Sequence, residues 1–140
     1  MNSHGYLAII SVIGSVLAVV SLLNPWVSGF TGLDIVGGSL DSGFQQYIPA
    51  IIVVISMIAL VLSAYYVWRI VWFFPFITFF LGVAVMALTS IFSMWEVGGV
   101  KVMQNADIGF WLSYAAGALI LLGAGLAYMN LVRKVKENMQ

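Results

Sequence analysis

The chain contains 140 residues, of which 63% are apolar and 7% are charged, and its five basic and five acidic side chains cancel. This composition lies well outside the globular range and excludes an ordinary soluble domain. The absence of cysteine excludes disulfides, thiolate metal sites and cysteine nucleophiles. We therefore expect a membrane protein, with membrane lipids as partners and no nucleic acid.

Four runs of the sequence lack Asp, Glu, Lys, Arg and His, and each can hold one membrane-spanning helix. A hydrocarbon core about 30 Å thick needs roughly 20 apolar residues at helical rise. We predict an all-α, four-helix membrane bundle with spans at Tyr6–Leu23, Tyr47–Val67, Trp72–Met94 and Ile108–Val132. The first segment lacks a basic leader and an Ala-x-Ala cleavage site, so we interpret it as a retained span.

Small residues at four-residue spacing occur on spans one and four. Such faces let helix backbones approach closely. We predict packing within the bundle, and leave open packing against another subunit, for Gly14, Ala18, Ser113, Gly117, Gly123 and Ala127.

The basic residues are distributed unevenly between the connections. Arg69 lies between spans two and three, and Arg133, Lys134 and Lys136 follow span four, whereas Lys101 lies in the third connection. By the positive-inside rule, both termini are cytoplasmic in a plasma-membrane protein.

Tryptophans flank the predicted spans, where amphipathic rings prefer the headgroup level. We predict interface anchors at Trp26 and Trp95 outside and at Trp68 and Trp72 inside. Arg69 is expected to extend to the inner headgroups beside them.

The sequence contains a partial internal repeat. Residues 21–29 read SLLNPWVSG and residues 90–99 read SIFSMWEVGG, and DSGF at 41–44 matches DIGF at 107–110. The repeat predicts two tandem helix pairs in parallel topology, related by a pseudo-twofold axis along the membrane normal. Chance similarity in a biased composition is the alternative.

We treat residues 1–140 as a single membrane domain. Its halves are about 1–68 and 69–132, followed by a cytoplasmic tail at 133–140. In each half, Asp41 or Asp107 is placed to cap the returning helix. The glycine-containing outer connections predict a small extracellular β-sheet.

Sites for chemistry are sparse in the sequence. The spans contain no titratable Asp, Glu, Lys, Arg or His, which argues against proton relays and buried charged sites. The outer carboxylates could together bind a divalent cation, although capping and topology explain them better: Asp34, Asp41, Glu96 and Asp107. We predict no catalytic residue, no cofactor and no metal.

The layout resembles the claudin and peripheral-myelin-protein group of four-span membrane proteins. The resemblance rests on Trp26, Gly32 and Leu33 in the first outer segment. Asp34 stands where that group has a second tryptophan, and the group's cysteine pair is missing. The resemblance implies a small outer sheet on a four-helix bundle and an organising or adhesive role.

The leading hypothesis is a non-catalytic accessory subunit or organiser of a membrane assembly, as a homo-oligomer or within a larger complex. The alternative is a small channel or carrier for a neutral or lipid-like molecule. A polar stripe for such a path could come only from Ser11, Ser15, Ser56, Ser63, Thr78, Thr89, Ser90 and Ser113. An enzyme is the third and least favoured reading.

Overall fold

The computed structural model describes residues 6–27, 30–37, 47–69, 71–94, 96–97, 100–101 and 106–139. A 3₁₀ turn at Tyr6–Ala8 leads into the first helix. The helices are α1 (Ile9–Leu22), α2 (Gly32–Val36), α3 (Ile48–Trp68), α4 (Phe74–Ser93) and α5 (Ile108–Met139). The strands are β1 (Pro25–Val27), β2 (Phe30–Thr31), β3 (Glu96–Val97) and β4 (Val100–Lys101).

Three of the helices are long and apolar enough to cross a membrane, namely α3, α4 and α5. The fourth apolar segment, Tyr6–Leu22, is shorter. With 1.5 Å per α-helical residue and 2.0 Å per 3₁₀ residue, it is about 27 Å long. The chain is thus an all-α, membrane-embedded protein.

The four apolar helices α1, α3, α4 and α5 form a closed ring of contacts. Helix α1 packs against α3 and α5, and α4 also packs against α3 and α5. Consequently α1 and α4 lie on one diagonal of the bundle, and α3 and α5 on the other. Proline at the first turn of α3 and of α4 is compatible with a helix start, where no intrahelical donor is needed.

The bundle has two distinct ends. At one end, which we call the hairpin end because the β1–β2 and β3–β4 pairs lie there, Trp26 and Ile48 share a buried cluster with Phe92 and Phe110. This cluster joins the ends of α1 and α4 to the starts of α3 and α5. At the other end, the cluster contains Ala8, Tyr66, Val67 and Ala127. We call this the basic end, because Arg69 follows α3 there and α5 continues beyond Ala127 into its basic residues.

The described strands form two separate two-stranded antiparallel sheets, one in each connection at the hairpin end. We expected one small sheet built from both connections. Between β1 and the segment that leads into α5, the Asp107 N–H donates to the Trp26 carbonyl at 2.8 Å. The Trp26 carbonyl, which a further strand would have needed as an acceptor, is therefore bonded to the residue that precedes α5.

Helix α5 is longer than its apolar run. It continues through residues 133–139, which we expected to form a tail beyond the span. The added segment is rich in Lys, Arg and Glu, which are good helix formers, so the helix has no reason to end where the apolar run ends.

Candidate functional site

The interior of the bundle carries the hydroxyl residues that the sequence offered for a polar path. Ser90 is half-buried, and the other seven are at most 2% exposed: Ser11, Ser15, Ser56, Ser63, Thr78, Thr89 and Ser113. These side chains come from all four long helices. Folding thus brings the main polar groups of the spans to the helix contacts.

Two pairs of hydroxyls link α4 to α5. Thr89 Oγ1 donates to the Val85 carbonyl at 2.8 Å and lies 2.9 Å from Ser113 Oγ. Since a hydroxyl carries one proton, Ser113 is then the donor to Thr89. Ser90 Oγ likewise donates to the Met86 carbonyl, one turn earlier, and lies 2.7 Å from the Tyr114 hydroxyl. Both serve helix packing.

A third bond links α1 to α5. Ser11 Oγ on α1 donates to the Ile120 carbonyl on α5 at 2.7 Å. Ser15 instead donates within its own helix, to the Ser11 carbonyl at 2.9 Å. Hydroxyls that bond a backbone carbonyl in this way are satisfied without water, as the interior of a membrane bundle requires.

Helix α3 differs, because Ser56 Oγ, Ser63 Oγ and the Tyr66 hydroxyl are buried and have no hydrogen-bond partner among the described residues. Ser63 and Tyr66 line a small cavity at the basic end, together with Ser11 and Thr78. The space open to the centre of a water molecule there is about 10 Å³. That is room for about one water. Its walls combine these hydroxyl side chains with alanine, proline and phenylalanine, and it is far too small for a larger solute.

Small residues set the spacing of α5 against its neighbours. A Cβ atom at Gly14 would lie 2.8 Å from the Ala116 carbonyl oxygen, and one at Gly123 would lie 2.5 Å from the Ser11 nitrogen. At Gly117 it would lie 2.6 Å from Met86 Cγ. All six small residues proposed from the sequence for helix packing are buried, including Ala18, Ser113 and Ala127. Their faces are used within this chain.

Gly82 makes an equally close contact that we did not predict. A Cβ atom there would lie 2.7 Å from the Leu121 nitrogen. A signal was present in the sequence, since Thr78 precedes Gly82 at the same four-residue spacing of small residues.

Trp26 is fully buried, which differs from the exposed position expected of an interface anchor. Its Nε1–H donates to the Ser21 carbonyl at 2.7 Å, and its ring packs edge-on against Phe92 and Phe110. A Cβ atom at Gly109 would lie 2.6 Å from the indole. The Asp-x-Gly-Phe signature at 107–110 therefore packs against strand β1, which carries Trp26.

Three of the other predicted anchors lie at the basic end. Trp68 is 67% exposed and Trp72 is 69% exposed, and Arg69 between them is also exposed. Trp95 lies outside the described residues.

Asp107 directly precedes α5, and its carbonyl accepts from the Phe110 N–H at 3.1 Å, so it occupies the expected cap position. Capping by its carboxylate stays a prediction. Asp41 lies outside the described part of the chain, and α3 begins after Tyr47, whose side chain makes no cap bond.

We missed a capping box at the start of α2. Thr31 Oγ1 accepts from the Asp34 N–H and Asp34 Oδ2 accepts from the Thr31 N–H, both at 3.1 Å. The sequence signal was Thr-x-x-Asp. Asp34 therefore has a local structural role. Within the described residues, no three His, Asp or Glu side chains are grouped to hold a metal ion.

No protein-family model matches the chain, and comparisons with curated proteins and with solved structures found no similar protein.

Proposed function

We propose that the chain is a non-catalytic four-span protein of the plasma membrane that acts as an accessory subunit or organiser of a membrane assembly. The observation that carries this proposal is the use of the interior for packing. Gly14, Gly82 and Gly123 lie at close contact with the backbone of a neighbouring helix, and hydroxyls of α4 and α5 bond helix to helix. We therefore expect the contacts that carry function on the outward faces of the helices and at the hairpin end.

The outward faces suit contact with lipid and with other helices. On α1, Ile13 and Val16 are 55% and 49% exposed. On α5, Ala115 and Ala118 are exposed, so a partner helix could approach the α5 backbone there.

Three further features support the proposed topology and role. Four of the five basic residues lie at one end of the bundle, which favours cytoplasmic termini. The diagonal pairs α1 with α4 and α3 with α5 are the arrangement that a tandem repeat with a pseudo-twofold axis would give. The claudin-like layout supports an organising role.

Mild-detergent extraction of the tagged protein from its native membrane, followed by mass measurement of the intact complex, tests the proposal. We expect a stoichiometric complex larger than the monomer. Ala118→Phe should weaken it by blocking close helix approach, whereas Leu122→Phe, at an exposed α5 site that is already large, should not. A monomer under all mild conditions would contradict the proposal.

A small carrier for a neutral molecule is the second candidate function. The observation that favours it is the unpaired hydroxyl set of α3, with Ser63 and Tyr66 lining the small cavity. Such a carrier would have to widen this site during transport, since its present space matches about one water.

Solute flux into liposomes separates the two candidates. If the hydroxyls serve transport, Ser63→Ala and Tyr66→Phe should abolish flux while leaving the bundle folded. Flux that is absent in the parent chain, or unchanged in these variants, would exclude a path past this site.

A further inference from the structure

The end of α5 and the first turn of the chain form an open groove at the basic end. It lies between Tyr6 and Leu7 on one side and residues 126–136 of α5 on the other. Its volume is about 520 Å³. This groove is distinct from the small interior cavity, and its walls lie outside the helix contacts described above.

The groove changes character along the α5 face that lines it. Leu126 and Met129 are 37% and 69% exposed, and they are followed at helical spacing by Arg133 and Lys136, which are also exposed. Residues three, seven and ten positions apart share one helix face. At 1.5 Å per residue, the step from Leu126 to Lys136 is about 15 Å along the helix.

The charge on the groove has one sign. Its lining includes Arg133 and Lys136 and no carboxylate among the described residues, and the nearest acidic residue in sequence, Glu137, is not part of the wall. Arg133 makes a long bond of 3.4 Å to Asn130 Oδ1, which leaves most of its donors for another acceptor.

An apolar wall that ends in two cations fits an amphiphile with an anionic head. We propose that this groove binds one anionic glycerophospholipid, with its phosphate between Arg133 and Lys136 and its upper acyl chains against Leu126 and Met129. The bundle supports this placement, because the basic residues directly follow the end of the apolar run, where headgroups lie. The proposal does not depend on an accessory-subunit role.

Native mass spectrometry of the purified chain in detergent, with equal amounts of phosphatidylglycerol and phosphatidylcholine, tests the site. We expect one retained phosphatidylglycerol per chain. Arg133→Gln with Lys136→Gln should weaken its retention about 25-fold, since each cation near an anionic lipid contributes about fivefold. The matched control, Arg69→Gln with Lys134→Gln, removes the same charge outside the groove and should have little effect. Equal losses in both double variants would mean a diffuse charge effect and would overturn the site.

A benzophenone amino acid at position 129 identifies the occupant in the membrane itself. Cross-linking to phosphatidylglycerol in mixed vesicles is the expected result. Cross-linking to a second copy of the chain or to another protein, without lipid adducts, would overturn the proposal even if the charge variants behaved as expected.

Discussion

At the residue scale, Tyr66 and Thr89 are both buried hydroxyl residues, but they contribute to stability in opposite ways. Thr89 bonds Val85 and Ser113, whereas the Tyr66 hydroxyl has no partner in the part of the chain that the structure describes. An unpaired buried hydroxyl costs about 1–3 kcal/mol. We therefore expect Tyr66→Phe to stabilise the protein by about 1 kcal/mol in a detergent unfolding measurement.

Thr89→Val is the matched test, because it removes a bonded hydroxyl and leaves Ser113 without its acceptor. Hydrogen bonds between membrane helices contribute about 0.6 kcal/mol on average, and up to about 1.7, so we expect a loss of this size. If Tyr66→Phe were the more destabilising change, the hydroxyl would have a bonding role that the structure does not reveal.

The sequence identified the hydroxyl residues as the polar material of the spans but not which of them are bonded. It also predicted Trp26 to be an interface anchor, since flanking tryptophans commonly anchor at headgroups. The ring is buried because Phe92 and Phe110 converge on it from positions 66 and 84 residues further along the chain. Such a meeting depends on the tertiary arrangement, and no local pattern encodes it.

At the scale of elements, α5 presents two glycines two residues apart with different surroundings. At Gly123 a Cβ would collide with the Ser11 backbone at 2.5 Å, whereas at Gly125 it would meet Phe79 at an ordinary 3.7 Å. We expect Gly123→Ala to push α1 away from α5 and to destabilise the bundle by about 1–3 kcal/mol, the cost of overpacking.

Gly125→Ala is the control on the same helix. Alanine is the better helix former by about 1 kcal/mol, so this variant should be neutral or more stable. Thermal unfolding of the two variants in the same detergent compares them directly. Equal losses would mean that α1 and α5 are not held by close backbone contact at Gly123.

The helices themselves followed closely from the uncharged runs. Apart from the C-terminal end of α5, their bounds lie within about three residues of the predicted spans, because the same apolar residues that fit a bilayer also form the helix surfaces. Hydropathy did not predict the extension of α5, since it detects the spanning segment and not the helix. It also gave no sign that the two connections would form separate hairpins.

At the scale of the whole molecule, the bundle is polarised in charge. Arg69 and the α5 basic residues lie at one end, and Lys101 lies in the hairpin that follows α4 at the other. This separation rests on tertiary packing as well as on sequence, because Tyr66 and Ala127 share one cluster and so bring the end of α3 beside α5. The polarity predicts how the chain sits in its membrane, although it does not identify a partner.

The natural absence of cysteine makes this orientation directly testable. Leu33→Cys marks the hairpin end and Asn138→Cys marks the basic end, and both positions are exposed. With a membrane-impermeant maleimide on intact cells, we expect labelling at 33 only, and labelling at 138 only after permeabilisation. The reason is that four basic residues at one end favour the cytoplasm. Labelling of 138 in intact cells would reverse the topology, and it would also place the lipid groove in the outer leaflet.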